Sequence, residues 1–288
     1  MKTLLRERKM IFVFLCLAVS LFACRTEPNR TASGMAGDIQ FHREEISVPL
    51  WDQEDFAAMA PEGAEPPALR ITLSLAEVSG KSGGKDEALK ALFQDLFFQG
   101  MDARDYAREQ IRDKTFQYRS VREAVRDQPD RVFSETLNWY YEEKLDVEMN
   151  GSRFLVVSRS WAEYTGGAHG NYGKNYFVFD REKAGRISLP DLMKEGFGRV
   201  LTEKLDQELR KNRELDRNDS LRHHGFFVNQ VEPTENFFLS SKGIGFHWDP
   251  YEIGPYAMGF VEIVVPYGEI GDILSSLGRS AAREAGIE

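Results

Sequence analysis

Cysteine, net positive charge and long apolar runs are all scarce in this chain, and each scarcity excludes a class of protein. Two cysteines among 288 residues exclude a disulfide-rich scaffold. Acidic residues outnumber basic ones by 46 to 37, and the formal net charge of -9 argues against a nucleic-acid-binding protein. The one strongly apolar run, at residues 11–22, is too short to span a bilayer comfortably.

The N-terminus has the features of a secretory signal at residues 1–23. Ala23 is a small residue at the expected cleavage point after the apolar run. Residues 21–24, Leu-Phe-Ala-Cys, resemble a bacterial lipobox, which predicts that lipid is attached to Cys24. The alternative is an uncleaved N-terminal anchor with an incidental cysteine. The basic residues that precede the apolar run are Lys2, Arg6, Arg8 and Lys9.

Cleavage before Cys24 changes both the cysteine count and the charge. Cys16 would be removed, so no intramolecular disulfide could form. Four basic side chains and Glu7 would also be lost, which moves the formal net charge from -9 to -12. We therefore expect an exported bacterial protein, held to the cell membrane or outer membrane by lipid, that attracts a cationic protein partner. Solubility alone also explains the acidity.

The rest of the chain predicts a tether, two folded regions and a tail. Residues 24–38 are small and polar and predict a flexible tether. In the first region, residues 39–134, alternating apolar residues predict strands near 46–50 and 69–75, and helical spacing predicts helices at 89–97 and 102–125.

The second region, residues 135–278, contains two predicted hairpins. Asn150-Gly151 separates two apolar runs and indicates the first hairpin, and Lys242-Gly243 separates the second pair. A helix is predicted over residues 197–209, a final strand over 260–265 and a short helix that ends near Leu277, before a tail at 279–288. Antiparallel hairpins packed on amphipathic helices predict an α+β fold.

Two segments of the second region carry a resemblance to a known family. Residues 164–170 read YTGGAHG and residues 251–267 read YEIGPYAMGFVEIVVPY. Together they resemble the domain of unknown function 3298 (DUF3298), found in bacterial envelope proteins such as the extracytoplasmic part of RsiV-type anti-sigma factors. The resemblance implies an envelope location, an upstream companion domain of the DUF4163 type at residues 39–134, and a role in recognising lysozyme.

Several residues could carry chemistry, and each also has a structural explanation. His169 lies in a glycine-rich loop, where it could carry protons with Glu163 or Asp249 in a small envelope hydrolase. No nucleophile motif accompanies it, so a structural role of the loop is favoured and no catalytic residue is assigned. Asp249 and Glu252 could pair for glycoside cleavage only if their separation in space allowed it.

No metal or cofactor is expected from the motifs. His223-His224 and His247 lack a metal-ligand spacing. Residues 79–82, Ser-Gly-Lys-Ser, imitate a phosphate-binding loop but lack its earlier glycine. A linker is therefore the preferred interpretation of this segment.

Tyrosines beside glycine or proline are the most suggestive candidates. Such rings can form rigid contacts with a sugar or a protein partner, and corner packing explains them equally well. We predict a binding module for a protein such as lysozyme, or for peptidoglycan fragments, rather than an enzyme. The candidate binding residues are Tyr164, Gly166, Gly167, His169, Tyr172, Tyr251 and Tyr256.

Overall fold

The computed structural model describes residues 39–58, 65–78, 84–125 and 135–286. Its largest element is a six-stranded sheet with the strand order β1-β2-β3-β4-β5-β6. Only β2 and β3 run parallel, and the other neighbouring pairs are antiparallel. The strands are β1 (Ile39–Pro49), β2 (Ala68–Val78), β3 (Trp139–Asn150), β4 (Phe154–Tyr164), β5 (Asn171–Asp180) and β6 (Gly185–Ile187).

A second, three-stranded antiparallel sheet is formed later in the chain, together with most of the short helices. Its strands are β7 (Phe237–Leu239), β8 (Gly243–Trp248) and β9 (Val261–Pro266). The helices are α1 (Gln53–Ala57), α2 (Lys85–Phe98), α3 (Ala103–Val125), α4 (Leu189–Leu192), α5 (Gly198–Asn212), α6 (Tyr267–Ile270) and α7 (Ser276–Glu284). The predicted α+β class is confirmed.

The parallel pairing of β2 with β3 requires a crossover, because parallel neighbours cannot be joined by a tight turn. Helices α2 and α3 lie in the chain between these two strands. Their apolar faces cover one side of the sheet, with Phe93, Tyr106 and Tyr118 buried. Strands from both predicted regions, 39–134 and 135–278, are therefore neighbours in one sheet.

The first half of strand β4 is buried on both faces. Leu155 and Val157 belong to the core under α2 and α3, whereas Phe154 and Val156 belong to a second core. That second core is closed by the three-stranded sheet, α5 and α7. The run of four apolar residues at the start of β4 follows from this position, since alternation disappears when both faces of a strand are covered.

The C-terminal prediction was wrong. In place of the short helix expected to end near Leu277, α6 ends at Ile270 and a separate helix, α7, runs from Ser276 to Glu284 into the predicted tail. Ala281 and Ala282 are buried in the second core, and the carboxylate of Glu284 accepts a hydrogen bond from the backbone N–H of Arg153 at 3.1 Å. This tertiary contact has no local sequence pattern.

A buried carboxylate joins α3 to the sheet. Glu143 of β3 is 3 % exposed and accepts hydrogen bonds from the hydroxyls of Tyr106, at 3.1 Å, and Tyr141, at 2.7 Å. Arg159 of β4 donates to it through Nε at 2.8 Å. Burial, followed by the Glu143 charge, raises the pKa of both tyrosines. The Glu143 carboxylate therefore has hydrogen-bond partners for its buried oxygens, and the network joins α3 to β3 and β4.

Candidate functional site

Two loops bring aromatic rings together at the surface. One loop, residues 165–170, joins β4 to β5, and the other, residues 249–260, joins β8 to β9. They meet at the ring of Tyr256, whose centroid lies 4.2 Å from that of His169, 5.4 Å from that of Tyr172 and 5.8 Å from that of Tyr251. Tyr172 also contacts Phe260 at 4.9 Å. We call these five residues the aromatic surface.

Much of the aromatic surface is open to solvent. Tyr251 is 57 % exposed and Phe260 is 39 % exposed, and His169 is also exposed. Tyr172 and Tyr256 are half-buried beneath them. Clustered and exposed aromatic side chains are typical of sites where proteins or sugars dock, because each ring offers a rigid apolar face with a polar edge.

Backbone hydrogen bonds fix the centre of the aromatic surface. The hydroxyl of Tyr256 donates to the carbonyl oxygen of Gly170 at 2.8 Å. Nδ1 of His169 lies 2.9 Å from the same oxygen and donates to it when the proton is on that nitrogen. Both rings therefore share one backbone acceptor, which holds the two loops together.

The glycines predicted as site residues shape the loop. Gly166 and Gly167 have φ angles of +86° and +129°, a region that residues with a side chain rarely adopt. The hydroxyl of Tyr164 donates to the carbonyl of Gly167 at 3.0 Å, and its ring stacks on Tyr140 at 6.2 Å. Tyr164 thus supports the loop from the side, whereas His169 enters the aromatic surface itself.

Tyr251 occupies a strained turn. Its φ angle is +73°, a conformation that costs a residue with a side chain on the order of 1–3 kcal/mol. The turn is closed by a hydrogen bond from the N–H of Tyr251 to the carbonyl of Gly254 at 2.9 Å. Glu252 accepts from the N–H of Asp249 at 2.6 Å. This geometry leaves the Tyr251 ring at the surface.

A fully buried histidine, His247, lies directly below the aromatic surface. The ring of His247 is 4.7 Å from that of Phe260. Its Nε2 is 2.9 Å from Asp249 Oδ1 and its Nδ1 is 2.8 Å from Glu262 Oε1. Burial alone would lower the pKa of His247, but the hydrogen bonds and charges of the two carboxylates raise it above its ordinary value. The hydrogen bond from His247 lowers the pKa of Glu262.

The same carboxylates contact β5. Asp249 Oδ1 accepts from the N–H of Lys174 at 2.9 Å, and Glu262 Oε1 accepts from the hydroxyl of Tyr176 at 3.0 Å. Gly173 permits this approach, since a Cβ there would lie 2.8 Å from Asp249 Oδ2. The segment of β5 that carries Tyr172 is therefore tied to the loop that carries Tyr251 and Tyr256.

The arrangement does not match the hydrolase alternative. Among the described residues, His169 hydrogen-bonds a backbone carbonyl rather than a carboxylate. Glu163 pairs with Lys114 at 3.2 Å, and Asp249 is bonded to His247. The Glu252 carboxylate closes the turn at Asp249. These carboxylates already serve structural contacts.

Among the described residues, no group of three or more His, Cys, Asp or Glu side chains could hold a metal ion. His224 pairs with Asp219 at 3.2 Å in the short turn at Leu221–His224. In the same part of the chain, no helix is long and apolar enough to cross a bilayer. Cys24, the tether and residues 79–82 lie outside the described residues.

Two contributors were missed by sequence reasoning. The sequence pattern predicts Phe260 as part of the final strand and indicates His247 only as a possible metal ligand. One pattern could have identified His247: Ile244, Phe246 and Trp248 alternate along β8, which places His247 on the opposite face. Because β8 is buried on both faces, a histidine there needs partners.

Comparison with known proteins identifies the C-terminal segment. Residues 190–268 match the family described as "Protein of unknown function (DUF3298)". The match includes the 249–260 loop and excludes the 165–170 loop. No curated protein matches the chain.

Several solved structures share the fold, among them two DUF3298 family proteins. A DUF3298 family member from Bacteroides fragilis NCTC 9343 superposes with a TM-score of 0.72 at 24% identity, over 86% of this chain and 98% of that one. A DUF3298 family protein from Pseudomonas aeruginosa PAO1 gives a TM-score of 0.52 at 15% identity, over 83% and 95%. The family match is thus confined to residues 190–268, whereas the shared fold covers most of the chain.

Proposed function

We propose that this protein is an extracytoplasmic binding module whose ligand docks on the aromatic surface. The observation that carries the proposal is the meeting of five rings from separate chain segments around Tyr256, with Tyr251 and Phe260 exposed. Rings fixed before the ligand arrives lose little conformational entropy on binding, which favours affinity.

The charge around the aromatic surface supports a basic protein such as lysozyme as the ligand. The side chain of Glu252 is exposed in the same loop as Tyr251. The whole chain is acidic, with a formal net charge of -9. Negative potential around an apolar centre steers a cationic partner towards it. Peptidoglycan fragments, whose sugar rings would stack on the tyrosines, are the alternative ligand.

The same proposal includes the location. Cleavage at residue 23 and lipid on Cys24 would attach the chain to the envelope, with residues 24–38 as the tether. The support comes from the N-terminal sequence and from the resemblance to RsiV-like extracytoplasmic domains with an upstream companion of the DUF4163 type. Metabolic labelling with a radioactive fatty acid tests this part, because Cys24→Ser should abolish the label.

Calorimetric titration of residues 39–288 tests the binding function. Lysozyme and soluble peptidoglycan fragments are titrated separately at low and at physiological salt. Saturable lysozyme binding that weakens with salt supports the basic-protein ligand, because screening reduces exposed charge interactions. Fragment binding with little dependence on salt supports the wall ligand. Absence of heat with both ligands, in a sample shown to be folded, would overturn the proposal.

A further inference from the structure

The buried imidazole of His247 connects the segments that carry the aromatic surface. Through Asp249 it reaches the start of the loop with Tyr251 and Tyr256. Through Glu262 it reaches β9, two residues beyond Phe260. Asp249 in turn accepts from the backbone of Lys174, two residues beyond Tyr172.

We propose that His247 is a positioning residue of the aromatic surface, and that its protonated ring holds the 249–260 loop against β5 and β9. The inference rests on the proposed binding function, because it assigns a regulator to that same site. It predicts that the aromatic surface is ordered in mildly acidic solution and loosens as the pH rises.

The chemistry of the ring explains the direction. An imidazolium has two N–H donors, one for each carboxylate, whereas a neutral ring has one donor and one acceptor. Loss of the proton therefore leaves a carboxylate oxygen facing a lone pair at a separation of about 2.8 to 2.9 Å. One of the two contacts must then open, and either opening frees the loop or the start of β9.

Other ionisable groups around His247 do not replace its charge. Tyr176 of β5 donates its hydroxyl to Glu262, and its ring lies 5.7 Å from that of His247. The ammonium of Lys174 lies over the Tyr176 ring and is paired with Glu148 at 3.1 Å. Its charge contributes to lowering the pKa of Glu262, but its direct ion pair is with another carboxylate.

Hydrogen–deuterium exchange of the full chain in detergent micelles tests the inference without any ligand. Protection of residues 249–260 and 171–176 is compared at pH 5.5 and pH 8.5, after correction for intrinsic exchange. We expect protection of the wild type to fall roughly tenfold at the higher pH, the effect of losing one hydrogen bond to a charged group. His247→Gln should give low protection at both values. His42→Gln is the control, because that histidine lies in strand β1, outside the aromatic surface, and the variant should retain the wild-type pH dependence.

A second variant covers the case in which His247→Gln does not fold. Asp249→Asn keeps the turn but removes one charge, and should reduce protection of the loop at pH 5.5. Equal protection of the wild type at both pH values would overturn the inference, as would a pH response in His247→Gln equal to that of the wild type. The exchange experiment uses no ligand, so its result is independent of the binding titration. If the titration fails but protection still depends on pH, the proposed binding function is overturned and the role of His247 is not.

Discussion

The ring of His169 stacks on that of Tyr256 at 4.2 Å, and both side chains hydrogen-bond the carbonyl oxygen of Gly170. The contact joins the loop after β4 to the loop after β8. A residue considered for acid–base chemistry is therefore part of an aromatic contact. This relationship turns several isolated loop tyrosines into one surface.

Tyr256 should contribute to stability and binding through different atoms. Tyr256→Phe removes the hydrogen bond to Gly170, and we expect a loss of about 1 kcal/mol in the free energy of unfolding, with a modest effect on binding. Tyr256→Ala also removes the ring contacts and should weaken ligand binding at least tenfold. Urea denaturation and titration measure the two effects. Equal binding by the Phe and Ala variants would contradict the central role of the ring.

The strained backbone at Tyr251 should lower the stability of the fold while it holds the ring at the surface. Tyr251→Gly and Tyr251→Ala both remove the ring, but only glycine tolerates the φ angle of +73° without strain. We expect the glycine variant to be more stable than the alanine variant by about 1 kcal/mol, while both bind ligand more weakly than the wild type. Thermal unfolding compares the pair. A less stable glycine variant would show that this turn is not strained.

Stability should depend on pH through His247 and Glu262. Because the pKa of His247 is raised in the folded protein, its protonation stabilises the fold. This stabilisation is complete below the pKa of the unfolded chain, about 6.5, and is lost as the pH rises through the pKa of the folded protein. Because the pKa of Glu262 is lowered in the folded protein, its ionised carboxylate also stabilises the fold. This stabilisation is present above the pKa of the unfolded chain, about 4.5, and is lost as the pH falls through the pKa of the folded protein. This pair is thus most stabilising between about pH 4.5 and 6.5.

Urea denaturation of the wild type and His247→Gln across pH 4 to 9 checks this prediction. The difference in unfolding free energy between the two proteins should shrink as the pH rises above 6.5. His42→Gln is the control, because that histidine lies in edge strand β1, away from the buried pair. A difference that stays constant across the range would contradict the ion-pair account.

Substitution of Glu143 should strongly reduce the free energy of unfolding. Glu143→Leu leaves Arg159 and the hydroxyls of Tyr106 and Tyr141 without their shared acceptor, and we expect a loss of about 3 kcal/mol or more. Glu109→Ala breaks an exposed pair with Arg112 and should cost less than about 1 kcal/mol. Chemical denaturation compares them. Similar losses for the two variants would contradict the importance of burial.

Local sequence patterns predicted much of the fold. The apolar alternation in β2, the helical spacing in α2, α3 and α5, and the Asn150-Gly151 hairpin all correspond to observed elements. The parallel pairing of β2 with β3 and the register shift between Val147 and Met149 were not predicted. Both depend on contacts between distant residues, which no short window of sequence records.

Only part of the candidate site could be predicted, because the rest of it also depends on contacts between distant residues. Neighbouring glycines and prolines predict Tyr172, Tyr251 and Tyr256 in loops, which is correct for Tyr251 and Tyr256, whereas Tyr172 lies in β5. The structure brings all three together with His169. Phe260 looked like an ordinary strand residue, although it is 39 % exposed. Asp249 is only two residues from His247 in the chain, whereas Glu262 comes within reach because β8 pairs with β9.

Titration of matched aromatic variants tests the central claim most directly. The wild type, the double variant Tyr251→Ala/Phe260→Ala and the control double variant Phe41→Ala/Phe116→Ala are each titrated with lysozyme and with peptidoglycan fragments. Phe41 and Phe116 are 65 % and 74 % exposed on β1 and α3, so the control removes two rings that are more exposed than Tyr251 and Phe260 and lie outside the aromatic surface. The account predicts that the control binds like the wild type and that Tyr251→Ala/Phe260→Ala loses at least tenfold in affinity for the same ligand. Equal affinity of all three proteins, or greater loss in the control, would contradict it.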